Sequence, residues 1–170
     1  PLALGTIHPT AALVFGLILE VVAFATLWLS ANLLAAALAI GATAFYVFVY
    51  TIWLKPRTTQ NIVIGGAAGA VPALVGWAAV TGSLAWPAWL MFLIVFCWTP
   101  PHFWALAIRY REDYANADFP MLPVTKGERR AAIEGFIYSL IVVALSLCLA
   151  LSGDLGWIYL VSAEIGRAHV

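Results

Sequence analysis

The sequence predicts an all-α fold, a multi-span transmembrane helical bundle with five full spans and a truncated sixth. Three observations carry that expectation. Of 170 residues, 64% are hydrophobic and only 9% charged, with a mean hydropathy of +0.99, whereas a soluble domain has about a quarter charged residues. Apolar runs recur at close to the ~20 residues a helix needs to cross a bilayer, and none has the alternation of a barrel strand. Cationic side chains gather on alternate loops: Lys55, Arg57, Arg109, Arg111, Lys126, Arg129 and Arg130 lie on or beside two of them, and the intervening loops hold no Lys or Arg.

Taken in order, the expected spans are residues 10–29, 32–53, 62–80, 87–109 and 130–151, with the truncated segment starting at 155. Ser30-Ala31-Asn32, the loop 55–60, Thr81–Trp86, the loop 110–129 and Ser152-Gly153-Asp154 join them. If every span crosses once, both cationic loops fall on one side. The positive-inside tendency makes that side cytoplasmic. Glu20 stands mid-span, where an ionised group costs a few kcal/mol, so it is expected to face inward. In the third span Gly65 with Gly69, and Gly66 with Ala70, place small residues four apart and predict a close helix–helix seam, with a kink at Pro72. Glu134 follows Arg130 by four residues, a local ion pair. Cys97 and Cys148 lie in apolar runs and read as small core residues, not as a disulfide or a metal site. A net charge of zero gives no sign of a nucleic-acid partner, and no charged region with a short apolar core opens the chain as a signal peptide would.

The chemistry concentrates in Trp98–Lys126. Pro100-Pro101 are expected to break the fourth helix, freeing carbonyls near Phe96 and Cys97. Such breaks are tolerated where the helix lines a cavity. Beyond the prolines, an ideal helix aligns His102, Ala105, Arg109 and Asp113 on one stripe. Glu112, Asp113 and Asp118 are hard oxygen ligands of the kind Mg²⁺ uses together with substrate phosphates. Arg109, Arg111 and Lys126, with Lys55 and Arg57 from the other loop, can neutralise phosphate oxygens. An acidic and basic rim above an apolar, aromatic cavity suits a substrate with a diphosphate head and a greasy tail. Tyr46, Tyr50, Trp98, Phe103 and Trp104 are candidate aromatic walls.

Three strings carry a resemblance: Tyr50–Gly82 (YTIWLKPRTTQNIVIGGAAGAVPALVGWAAVTG), Trp98–Ala107 (WTPPHFWALA) and Glu112–Val124 (EDYANADFPMLPV). They resemble the protohaem IX farnesyltransferase (haem O synthase) branch of the UbiA-type intramembrane prenyltransferases, over residues 1–163. The resemblance implies a helical bundle of about nine spans around a central cavity. It implies Mg²⁺-dependent transfer of farnesyl from farnesyl diphosphate to a vinyl group of haem B, giving haem O for terminal oxidases. Haem is then substrate and not resident cofactor. It further implies a multi-pass protein of the bacterial cytoplasmic membrane, with the lipid bilayer, and haem A synthase or terminal oxidase assembly, as partners. Alternatives are transfer to another aromatic acceptor, such as a quinone precursor, or a non-enzymatic transporter or membrane subunit.

Residue by residue, the family's second acidic motif falls on 109–118, with Asp113 the closest match and Glu112 next. Asp118 departs from the pattern, in which that position is glycine or another small residue. Lys55, after Tyr50, resembles the family's Tyr/Lys element near the diphosphate. Asp113, Glu112 and Lys55 are thus the expected catalytic residues, with Asp113, Glu112 and Asp118 as metal ligands. Arg109, Arg111, Lys126, Tyr50, His102, Trp98 and Trp104 are the expected substrate contacts. An ideal helix puts His102 about 16 Å from Asp113, too far to act at the reacting carbon. The family's first Asn/Asp-rich motif is absent, and Pro1-Leu2 resembles the residues just after it. The chain is therefore expected to run from the third span into the eighth and to be inactive alone. Ile165–Val170 matches one frame of a sequencing-adaptor read-through, so residues 164–170 are expected to be a non-native tail.

Overall fold

A computed structural model describes residues 4–151; the segment from 155 and the tail at 164–170 lie outside them. Among the described residues, five helices are long and apolar enough to span a membrane: Pro9–Ser30, Leu33–Leu54, Asn61–Thr81, Trp86–Arg109 and Glu128–Leu151. Each expected span is found, with ends shifted by no more than two residues. No strand occurs among the described residues.

Helix α1 (Pro9–Ser30) begins with Pro9 at its first position, where a missing N–H costs nothing. It packs on α2 (Leu33–Ala44). Ala12, Glu20, Phe24, Ala25 and Leu27 are the partly covered residues of α1, so Glu20 is half-buried. Asn32 ties the first turn of the bundle together. Its Oδ1 accepts from the Ala35 N–H at 2.9 Å, capping α2, and its Nδ2 donates to the Ala78 carbonyl at 2.6 Å. The end of α3 (Asn61–Thr81) is thereby pinned to the start of α2. From Phe45 to Leu54 the second span continues with i→i+5 bonds, as in Lys55 N–H to Tyr50 O at 2.8 Å. A π-turn of this kind commonly accompanies a functional site.

The small residues of α3 form a seam, as expected, but on two faces. Gly65 lies under the Tyr50 ring, so closely that an added Cβ would stand 2.8 Å from Cε2 and Cγ. Gly66 faces α4 (Trp86–Arg109), with Thr99 Cγ2 3.1 Å from where a Cβ would be. Ala70, Leu74 and Ala78 continue that buried row, whereas Gly69 is exposed.

The expected break at Pro100-Pro101 does not occur: α4 runs without interruption to Arg109. Packing holds it. Pro100 is buried, and Pro101 lies across from Gly135 of α7 (Glu128–Leu151), where an added Cβ would stand 3.7 Å from Pro101 Cα. The proline φ is itself helical, and Thr99 Oγ1 donates to the Val95 carbonyl at 2.9 Å within the same turn. The expected polar stripe is also corrected. The buried side of α4 is Cys97, Pro100, Trp104 and Ala107; His102, Ala105 and Arg109 lie on the exposed side, and Tyr110 ends the helix before Asp113. Cys148, unlike Cys97, is exposed.

The loop 110–129 is not irregular. It holds α5 (Arg111–Asn116) and α6 (Leu122–Lys126), which fold back under α4 and α7. Two apolar clusters hold them there. Ile62, Ala107 and Met121 meet with Tyr114 and Val124 around them. Trp104, Leu122 and Ala131 meet with Val63, Ile108 and Tyr138.

Candidate functional site: a charged rim at one end of the bundle

The two cationic loops come together at one end. Lys55 follows the π-turn of the second span, and its ammonium lies over the Phe119 ring, 5.0 Å from the centroid. That contact joins the Lys55–Gln60 loop to the segment between α5 and α6. In the same π-helical segment, the Tyr46 and Tyr50 rings meet at a tilt of 40°, 5.2 Å between centroids, with Tyr50 against Gly65.

Glu112 and Asp113 occupy the first turn of α5, where the helix dipole favours negative charge, and both are exposed. Among the described residues neither is in an ion pair, although Arg109 and Arg111 are close in sequence. Arg109 lies over the Tyr110 ring at 5.7 Å, and Arg111 reaches Glu128 at 3.4 Å. Arg130 pairs with Glu134 at 2.6 Å, as its spacing predicts. Lys126 ends α6, exposed. No three His, Cys, Asp or Glu among the described residues converge as a metal site. Glu112 and Asp113 are therefore a pair of free carboxylates and not a protein cage. That donor set fits Mg²⁺, which binds through one or two carboxylates plus substrate phosphates and keeps several waters.

Asp118 has a structural task. Its φ of 54° is left-handed, and the bonds around it, Phe119 N–H to Tyr114 O and Asp118 N–H to Ala115 O, both 3.1 Å, form a Schellman cap on α5. Glycine takes that conformation freely, and Asp is among the few other residues that tolerate it. This explains why a glycine-type position accepts aspartate. Asp118→Gly is accordingly expected to stabilise the protein by up to about 1 kcal/mol and to leave Mg²⁺ affinity intact, as read by thermal unfolding and metal titration. A tenfold loss of Mg²⁺ affinity would make Asp118 a ligand after all.

The aromatic residues divide. Trp104 is 1% exposed and meets Tyr138 edge-on at 5.8 Å, so it is part of the packed core between α4, α6 and α7. Trp98 and His102 stack at 4.4 Å on the opposite, exposed face of α4. Two rim residues escaped the sequence reading. Phe119 was given no role of its own. Asn61, the first residue of α3, is fully buried; its Nδ2 donates to Thr58 O at 2.6 Å while Oδ1 has no partner among the described residues. A polar residue at a helix start after a cationic loop was the only available signal.

The UbiA prenyltransferase family model matches residues 1–166. The chain belongs to the UbiA prenyltransferase family. Among curated relatives it is 58% identical, over 94% of its length, to the protoheme IX farnesyltransferase of Gloeobacter violaceus. It is 57% identical over 97% to that of a Synechococcus species, and 54% identical over 94% to that of Mycolicibacterium smegmatis. It spans about half the length of these relatives: 52%, 50% and 51%. No solved structure gives a significant match. As a UbiA-family chain with five apolar spans, it is an integral membrane protein.

Proposed function

We propose that this chain forms part of an enzyme that transfers a farnesyl group from farnesyl diphosphate to a vinyl group of haem B, making haem O. The observation that carries this reading is the meeting of Lys55 with the α5–α6 segment at one end of the bundle. It puts a cation and free carboxylates on one rim, as a metal-bound diphosphate requires. The names of relatives at 54–58% identity support haem as acceptor. The rim faces the cytoplasm, on the charge asymmetry of the loops, and the bacterial sources of the relatives support a bacterial cytoplasmic membrane.

Mg²⁺, when bound, acts as a Lewis acid on the departing diphosphate. Asp113 and Glu112, exposed carboxylates in no ion pair among the described residues, would hold it. Lys55, Arg109, Arg111 and Lys126 neutralise phosphate oxygens as the allylic C–O bond breaks and its electron pair leaves with the diphosphate. Tyr50 and Tyr46 present ring faces below Lys55, where they can stabilise an allylic cation. The vinyl π electrons of haem then form the new C–C bond, and water adds to the carbocation left beside the porphyrin ring, losing a proton to leave a hydroxyl. Trp98 and His102 form a stacked platform on the exposed face of α4, suited to a flat porphyrin and away from bond breaking.

Full-length protein in nanodiscs, given haem B and farnesyl diphosphate, is expected to form haem O by mass spectrometry and to stop when Mg²⁺ is chelated. Prenylation of an aromatic acid in place of haem would move the acceptor to a quinone precursor. Absence of any farnesyl diphosphate turnover would favour a transporter or structural subunit.

A further inference from the structure

Lys55 is an unusual cation for its surroundings. Asp118 lies on the segment that meets its loop, and Glu112 and Asp113 on α5 just before it, yet among the described residues Lys55 has no ion pair. Its ammonium rests on the Phe119 ring instead. That ring is there because of the turn before it: Asp118 in the left-handed region reverses the chain after α5, and the Phe119 N–H bonds back to Tyr114. On the far side, Met121 is buried with Ile62 and Ala107, which fixes the segment against α3 and α4. Both partners are half-buried, so the contact is partly shielded from water, where cation–π attraction is stronger than at an open surface.

We infer that Phe119 is a positioning residue for Lys55: its ring holds the ammonium at the rim, away from the neighbouring carboxylates, and so sets the affinity for the prenyl diphosphate. An aromatic face suits this task because it attracts a cation without neutralising it. The full positive charge stays available to an arriving anion, and the carboxylates stay available to a metal ion. Without the ring, the flexible lysine collapses onto Glu112 or Asp113 and both halves of the site are spent on each other. The inference rests on the reading of this rim as a diphosphate site.

The test measures binding of farnesyl thiodiphosphate to full-length protein in nanodiscs with Mg²⁺ present. Phe119→Leu is expected to weaken binding about fivefold, and Phe119→Tyr or Phe119→Trp to restore it. Lys55→Met weakens binding more, and the Phe119→Leu/Lys55→Met double variant binds no worse than Lys55→Met alone. Fluorinated phenylalanines at 119 keep the shape and fold while draining the ring's negative face, so affinity is expected to fall stepwise with each fluorine. Unchanged affinity across that series, or losses that add in the double variant, overturns the positioning role alone. Unchanged affinity in Lys55→Met overturns the diphosphate reading, and the inference with it.

Discussion

Asp113→Ala is expected to lower kcat/KM for farnesyl transfer by about 10²–10³-fold, the usual cost of removing one preorganised group that meets developing charge. It should also abolish Mg²⁺-dependent binding of farnesyl thiodiphosphate. Stability should hardly change. The Asp113 side chain is exposed, is in no ion pair among the described residues, and supports no packing; such surface changes usually stay within about 0.5 kcal/mol. The contrast with Glu128 is useful. Glu128 is also an exposed acid nearby, but it is engaged with Arg111 at 3.4 Å, so Glu128→Gln should cost under about 1 kcal/mol and spare activity. Nanodisc kinetics and thermal unfolding on the same samples separate the two effects. Transfer by Asp113→Ala within fivefold of the parent would remove it from the metal site.

Trp104→Ala is expected to have the opposite profile, with stability and activity falling together. Trp104 is the largest fully buried side chain among the described residues, and it meets α6 through Leu122 and α7 through Ala131 and Tyr138. Truncating a buried tryptophan leaves a cavity and costs about 3–5 kcal/mol. Lipid is as apolar as the lost contacts, so the loss here is mainly of close packing. Because α6 docks on this side chain, its release also loosens the segment that carries Phe119 toward Lys55. Trp104→Phe should lose far less, since the ring contact with Tyr138 survives and the indole N–H has no acceptor among the described residues. Unfolding in detergent checks both. An alanine variant within about 1 kcal/mol of the parent would show that α6 is held by other contacts.

These two residues show how unevenly the site could be read. Asp113 stands out as a candidate because a carboxylate beside arginines at a helix end is rare in an apolar chain, and the surrounding strings resemble a known family. Trp104 was expected to contact substrate, and the fold places it in the core. Asp118 was expected to bind metal, and the fold gives its backbone a left-handed turn that its residue type did not announce. Phe119 lay in a string that carries the resemblance but had no sign of its role, since nothing local says that a lysine 64 positions earlier in the sequence will lie over its ring.

The sequence by itself determined the number of described spans, their ends to within two residues, and the gathering of cations at one end. Length and hydropathy suffice for this, because a helix must cross about 30 Å of hydrocarbon with its backbone satisfied. Which face of each helix turns inward was decided only by tertiary structure. In a membrane the lipid-facing and protein-facing sides are both apolar, so periodicity that would orient a soluble helix is nearly silent. The inward side of α4 was therefore set by close packing of Pro100, Trp104 and Ala107, with Gly135 opposite Pro101. The same packing kept the double proline helical and brought Phe119 to Lys55.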